Sequence, residues 1–117
     1  MPKFTLNKVF HFSSAHFLTK YKGKCENLHG HNYKLIVTIE DDLKDDGMAL
    51  DYKEIKDITN KEVIEELDHI SLNDIIENPS SENLCIWIWD KLSPKLPLKK
   101  ITLYETENSF CEYSGKA

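Results

Sequence analysis

The segment Asn32-Tyr33-Lys34-Leu35-Ile36-Val37-Thr38-Ile39-Glu40 alternates between apolar and polar side chains along most of its length. Because successive side chains of a strand point to opposite faces, the alternation predicts a half-buried strand over residues 32–40. One face of this strand carries only large apolar side chains, namely Tyr33, Leu35, Val37 and Ile39. The turn-forming sequences Asp41-Asp42 and Asp45-Asp46-Gly47 follow it and predict its end.

The same period of two occurs before this segment, at residues 4–12, and predicts a first strand. A loop over about residues 17–28 separates the two strands. After them, Asp51 is a candidate N-cap for a helix that runs to about Leu67.

A second helix is predicted to start at Asn78-Pro79-Ser80-Ser81 and to end before Pro94. Residues 101–105 then form a third strand, and residues 110–113 a short fourth strand. The order strand, strand, helix, helix, strand, strand predicts an α+β domain, with an antiparallel four-stranded sheet and both helices on one face. The other face must meet water or another subunit.

The length of 117 residues predicts a single domain over residues 1–117. No apolar run is long enough to span a bilayer, and the N-terminus does not resemble a signal peptide, so we expect a cytoplasmic protein. The net charge is -5 and the basic residues are scattered, which argues against a nucleic-acid partner. The three cysteines are widely spaced and form no disulfide framework.

The segment Cys25-Glu26-Asn27-Leu28-His29-Gly30-His31 carries the most informative chemistry. In an extended chain, His29 and His31 point to the same side and can present two imidazoles to one ion. A catalytic zinc needs a third protein ligand and an open position, and His16, just past the end of the first strand, is the natural candidate. Nitrogen ligands favour zinc over calcium or magnesium.

Three further positions have two interpretations each. Cys25 is either a fourth ligand of a closed structural zinc site or a thiolate that works beside the metal. The pair Asp68-His69 is either a helix-terminal cap or a functional pair. Glu105 is either an edge charge facing water or a carboxylate that accepts two parallel N–H bonds from a guanidine-like ring edge.

Together these residues resemble the 6-pyruvoyltetrahydropterin synthase family, and especially its short bacterial branch, the 6-carboxytetrahydropterin synthases. The resemblance covers nearly the whole chain and rests on six segments in order. These are Phe12-Ser13-Ser14-Ala15-His16, Cys25 to His31, Gly47-Met48-Ala49-Leu50-Asp51-Tyr52, Leu67-Asp68-His69 with Leu72-Asn73, Pro79-Ser80-Ser81-Glu82-Asn83, and Tyr104-Glu105-Thr106.

The resemblance implies the tunnelling fold, in which subunits join their sheets into a barrel, usually as a hexamer of two stacked trimers. It implies Zn²⁺ bound by His16, His29 and His31, with Cys25 as the general base. Asp68 and His69 would act as the proton relay of Cys25 from a neighbouring subunit. Glu105 would anchor the pterin, and the other substrate-binding residues would be Ser80, Ser81 and Thr106.

The implied activity is that of a lyase acting on 7,8-dihydroneopterin triphosphate. The leading expectation is 6-carboxy-5,6,7,8-tetrahydropterin as product, with release of acetaldehyde and triphosphate, in queuosine and deazapurine biosynthesis. Two alternatives are 6-pyruvoyltetrahydropterin synthesis and, because Glu26 follows Cys25, cleavage to 6-hydroxymethyldihydropterin for folate. A non-enzymatic alternative is a structural zinc module in which Cys25 is the fourth ligand.

Overall fold

The computed structural model describes residues 2–19 and 27–115, and two long antiparallel strands dominate it. β1 (Lys3–His16) and β2 (His29–Asp42) have 14 residues each. They pair along their whole length, from Lys3 opposite Asp42 to His16 opposite His29. Both predicted strands are confirmed, and each is longer than its apolar pattern. The extra residues are mostly polar, so the apolar pattern does not reach the ends of the paired strands.

Three more strands complete the sheet. β4 (Leu98–Thr106) pairs antiparallel with β2, and β5 (Ser109–Tyr113) pairs antiparallel with β4. The prediction of four strands is wrong by one, because the two-residue β3 (Ile70–Ser71) pairs in parallel with β1. The resulting order is β3-β1-β2-β4-β5. A two-residue strand is too short to produce an alternating pattern, so sequence reasoning could not detect it.

The two predicted helical regions are confirmed. The first is continuous over residues 52–67 and consists of α1 (Tyr52–Thr59), a π-helical segment (Asn60–Ile64) and α2 (Glu65–Leu67). The Asp51 side chain caps it by accepting from the Lys53 N–H at 2.9 Å. The second is α3 (Ser81–Leu92). A short 3₁₀ turn (Leu72–Asp74) lies between them.

Both helical regions cover the same face of the sheet. Leu35 lies opposite Leu103 and Val37 opposite Ile101, so the apolar faces of β2 and β4 form one surface. The buried core adds helical side chains to that surface, including Ile55, Val63, Leu67, Leu84, Ile88 and Leu92. Each such fully buried side chain contributes about 1.5–3 kcal/mol of transfer free energy.

The opposite face of the sheet carries a mixture of polar, charged and apolar side chains. The Lys34 ammonium lies 4.3 Å from the centroid of the Tyr104 ring, which stacks on Phe110 at 4.4 Å. No helix in residues 2–19 and 27–115 covers this face. Among those residues, none of the helices has the length and apolar character that a bilayer crossing requires.

Candidate functional site

Three imidazoles meet where β1 ends and β2 begins. The strand register places His16 opposite His29, and His31 lies two residues further along the same face of β2. One ring nitrogen from each histidine lies within 4.8 Å of the others. The ring centroids are 4.7–5.1 Å apart, and each pair of rings is steeply inclined, at 71–88°. The three predicted zinc ligands are therefore brought together and could hold a metal ion.

Backbone carbonyls set the tautomers of two of these rings. The Nδ1 of His16 is 2.7 Å from the Pro79 carbonyl oxygen, and the Nδ1 of His29 is 3.0 Å from the Asn27 carbonyl oxygen. Because a carbonyl oxygen only accepts, each Nδ1 carries the proton and each Nε2 is left with a lone pair.

The two Nε2 atoms lie 3.1 Å apart. Two lone pairs at this separation repel each other unless a positive charge lies nearby. Ligands about 2.0–2.1 Å from a tetrahedral zinc are about 3.3 Å from one another, so the spacing of these nitrogens fits such an ion. The donor set of this chain thus suits a metal that prefers imidazole nitrogen.

Tyr33 and Pro79 support His16, and sequence reasoning assigned neither of them to the site. His16 is 2% exposed and Tyr33 is 1% exposed, and the Tyr33 hydroxyl lies 3.3 Å from the His16 Nδ1. Burial, followed by the negative charge of Glu105, raises the pKa of Tyr33, so its hydroxyl stays neutral. The one available signal was that Tyr33 lies two residues after His31, on the same strand face.

A carboxylate lies beside the histidine cluster. Glu105, near the end of β4, has its Oε1 3.3 Å from the His31 Nε2. Its Oε2 accepts a hydrogen bond from the Ser81 hydroxyl at 2.7 Å. Ser81 and Glu105 also line a cavity of about 210 Å³ with residues of β5. Of the predicted substrate-binding residues, Glu105 and Ser81 therefore lie together.

The other two predicted substrate-binding residues lie elsewhere. The Ser80 hydroxyl accepts from the Asn83 N–H at 3.1 Å, so it caps α3. Thr106 follows Glu105 directly and lines a different cavity, with Lys34 and Tyr104 of the opposite sheet face. Adjacent strand residues point to opposite faces, which separates Thr106 from Glu105.

Asp68 and His69 form a hydrogen-bonded pair at the end of α2. The His69 Nδ1 is 3.0 Å from the Asp68 Oδ2, and the Ser13 N–H donates to the Asp68 Oδ1 at 2.8 Å. The Ser13 bond and the His69 contact outweigh desolvation and lower the pKa of Asp68. The carboxylate is thus ionised and orients the His69 ring.

The backbone at His69 is strained. Its φ is +61°, a conformation that non-glycine residues adopt rarely and that concentrates at functional sites. The His69 N–H donates to the Ser13 carbonyl at 2.6 Å, which fixes the corner against β1. The His69 side chain is 80% exposed and lines a cavity of about 470 Å³ that His31 also lines. The predicted catalytic Cys25, with Glu26, lies outside the described residues.

Comparisons with known proteins agree with this geometry. The model of the 6-pyruvoyl tetrahydropterin synthase family matches residues 5–116. A 6-pyruvoyl tetrahydrobiopterin synthase of Dictyostelium discoideum is 42% identical over 90% of this chain and 91% of its own length. A 6-carboxy-5,6,7,8-tetrahydropterin synthase of Haemophilus influenzae is 33% identical over 94% of this chain and 98% of its own length. The structure of the Caenorhabditis elegans 6-pyruvoyl tetrahydropterin synthase superposes with a TM-score of 0.88, at 31% identity over 99% and 98% of the two chains.

Proposed function

This chain belongs to the 6-pyruvoyl tetrahydropterin synthase family, and we propose that it is a zinc-dependent lyase acting on 7,8-dihydroneopterin triphosphate. The proposed products are 6-carboxy-5,6,7,8-tetrahydropterin, acetaldehyde and triphosphate. The observation that carries the proposal is the convergence of three imidazoles beside the Glu105 carboxylate. A metal site next to a charged hydrogen-bond acceptor suits a substrate with a hydroxylated side chain on a nitrogen-rich ring.

His16, His29 and His31 would hold the zinc ion. Such an ion supplies Lewis acidity toward the hydroxyls of the substrate side chain. The protein keeps the His16 and His29 rings in the ligating tautomer through the Pro79 and Asn27 carbonyls. Such outer partners orient ligands and raise their basicity.

Glu105 would bind the pterin ring. The aminopyrimidine edge of a pterin presents two parallel N–H donors, and a carboxylate can accept both with charge-assisted bonds. The Ser81 hydroxyl already fixes one Glu105 oxygen at 2.7 Å, which limits the rotamers of the carboxylate. The ring would therefore dock in a fixed orientation relative to His31, 3.3 Å from the other oxygen.

Proton transfer would be the task of Cys25, Asp68 and His69. Cys25 is proposed as the general base from its place in the sequence motif alone. Asp68 accepts from the His69 Nδ1, which leaves Nε2 as the atom that takes up or returns a proton. A positioned base of matched pKa contributes about 10²–10⁴-fold to the rate.

We further propose one pterin-synthase-like domain over residues 1–117 that assembles into a hexamer of two trimers. The uncovered sheet face supports an assembly, because its apolar side chains, such as Val9 at 49% exposure, would be buried by another subunit. The exposed His69 would then be able to serve the Cys25 of a neighbouring subunit.

The alternative products differ in how an intermediate is held. Synthesis of 6-pyruvoyltetrahydropterin uses the same residue types, and the Dictyostelium relative favours it as the second candidate. Cleavage to 6-hydroxymethyldihydropterin is the third and would involve Glu26. A structural zinc module without catalysis would leave the pair Asp68–His69 and the partly buried Ser81–Glu105 bond without a role.

The test is a mass-spectrometric product analysis. Zinc-loaded protein is incubated with 7,8-dihydroneopterin triphosphate beside a Cys25→Ala control. We expect 6-carboxytetrahydropterin and acetaldehyde, both lost in the control. A pyruvoyl or hydroxymethyl product would show that the same site catalyses one of the alternative reactions. Unchanged substrate with zinc still bound would favour the structural module.

A further inference from the structure

A pair of thiols lies one layer below the Ser81–Glu105 hydrogen bond. Cys85 on α3 and Cys111 on β5 have their Sγ atoms 3.3 Å apart, and both are free cysteines. Cys85 lies four residues after Ser81 and thus on the same helix face. Cys111 lies opposite Leu103, two residues before Glu105 on the same face of β4. The two contacts are consecutive layers of one interface between helix and sheet.

The two thiols differ in access. Cys85 is 1% exposed, whereas Cys111 is partly exposed and lines the 210 Å³ cavity together with Glu105 and Ser81. A small oxidant that enters this cavity therefore meets Cys111 first. Cys85 lies directly behind it, at a distance that must shrink from 3.3 Å to about 2.05 Å for a disulfide.

We propose that Cys85 and Cys111 form a redox modification site, in which a low-molecular-weight disulfide such as glutathione disulfide converts the two thiols to an internal disulfide between α3 and β5. The Cys111 thiolate attacks one sulfur of the small disulfide, forms a mixed disulfide and releases one small thiolate. The Cys85 thiolate then attacks the Cys111 sulfur and displaces the second small thiolate. Two electrons pass from the protein to the small disulfide, and the two thiol protons go to the released thiolates.

The order of events has a consequence for the cavity. A glutathione adduct on Cys111 would occupy the cavity beside Glu105. Formation of the internal disulfide releases the glutathione and leaves the cavity open. Cys85 is thus a resolving thiol that clears the cavity. Burial raises the pKa of both thiols, and the Glu82 carboxylate acts in the same direction. Because the thiolate is the nucleophile, the reaction is slow at neutral pH and faster as the pH rises.

The experiment uses the full chain with Cys25→Ser, so that Cys85 and Cys111 are the only thiols. The protein is incubated with glutathione disulfide and analysed by intact mass and by non-reducing tryptic mapping. We expect a loss of two hydrogens, a peptide that joins the two cysteines, and a thermal midpoint raised by about 5 °C or more.

Two matched variants separate the steps. In the same background, Cys85→Ala should retain one glutathione on Cys111, and Cys111→Ala should gain neither an adduct nor a crosslink. Thermal unfolding before oxidation shows that each variant is folded. A persistent adduct with Cys85 present would overturn the proposal. So would crosslinks only between chains, or no reaction while the same chain reacts when unfolded in guanidinium.

Discussion

His16 and Pro79 are 63 residues apart in the chain, and the His16 Nδ1 donates to the Pro79 carbonyl oxygen at 2.7 Å. This bond joins the histidine cluster to the segment in which α3 begins. Ser80 in the same segment caps α3, and Ser81 donates to Glu105. One short stretch of chain therefore supports both the histidine cluster and the carboxylate beside it.

Removal of one imidazole should abolish tight metal binding. His29→Ala deletes a nitrogen proposed to bind zinc, at a partly exposed position. Loss of an outer partner of a metal ligand lowers metal affinity by about 10–100-fold, and we expect loss of the ligand itself to lower zinc affinity by more than that. Competition with a chelating dye measures the zinc affinity. The control is His11→Ala, an exposed histidine outside the cluster. Equal zinc affinity in the two variants would exclude His29 as a ligand.

The cap of α3 should affect both stability and metal binding. Ser80→Ala removes the acceptor for the Asn83 N–H and should cost about 1 kcal/mol of unfolding free energy. Because Pro79 precedes the cap and orients His16, zinc affinity should fall as well. Ser80→Thr should retain both properties. Ser93→Ala, at the exposed other end of α3, is the control. Denaturant titration and zinc competition are the measurements.

Neutralising Glu105 should weaken pterin binding without loss of metal. Glu105→Gln replaces one acceptor oxygen by a donor, and the lost charge-assisted bonds should raise the Kd of a pterin by about 10–100-fold. Fluorescence titration of the pterin measures this. Zinc content should be unchanged. Glu107→Gln, an exposed residue in the turn after β4, should bind like the unmodified chain; weakened binding there would point to a general charge effect.

The imidazole of His69 should matter for turnover and not for folding. His69→Asn suits the φ of +61°, since asparagine tolerates this conformation, and it removes the ring. We expect a rate loss of about 10²–10⁴-fold with a nearly unchanged thermal midpoint. Product formation under saturating substrate is the measurement. A fully active variant would restrict His69 to a structural role.

The Asp68 carboxylate should make the stability of the fold depend on pH in the acid range. The pKa of Asp68 is lower in the folded chain, chiefly through the Ser13 N–H bond. The carboxylate therefore stabilises the fold above its unfolded pKa of about 3.9, and this contribution is lost as the pH falls through the lower folded value. The measurement is the denaturant midpoint between about pH 5 and pH 2.5, a range that brackets these pKa values. As the pH falls, the midpoint should decrease less steeply for Asp68→Asn than for the unmodified chain. Asp90→Asn, an exposed aspartate on α3, should follow the unmodified chain.

The residue pattern alone predicted the main strands, both helical regions and the cluster of three histidines. Alternation in β2 predicts a face with Leu35 and Val37 inward, and a strand of period two necessarily places His29 and His31 on that face. The Asp51 cap and the start of the second helix at Asn78-Pro79-Ser80-Ser81 were also readable, because a cap depends on residues within one turn.

The contacts between distant residues came from the packing of the helices against the sheet. The Pro79 carbonyl on His16, the Ser81–Glu105 bond and the parallel pairing of β3 depend on how α3 and the end of α2 pack against the sheet. No local pattern encodes such packing, because the partners are many residues apart and a backbone carbonyl carries no side-chain signature. The sequence thus determined which groups reach the site, and the fold decided what holds them there.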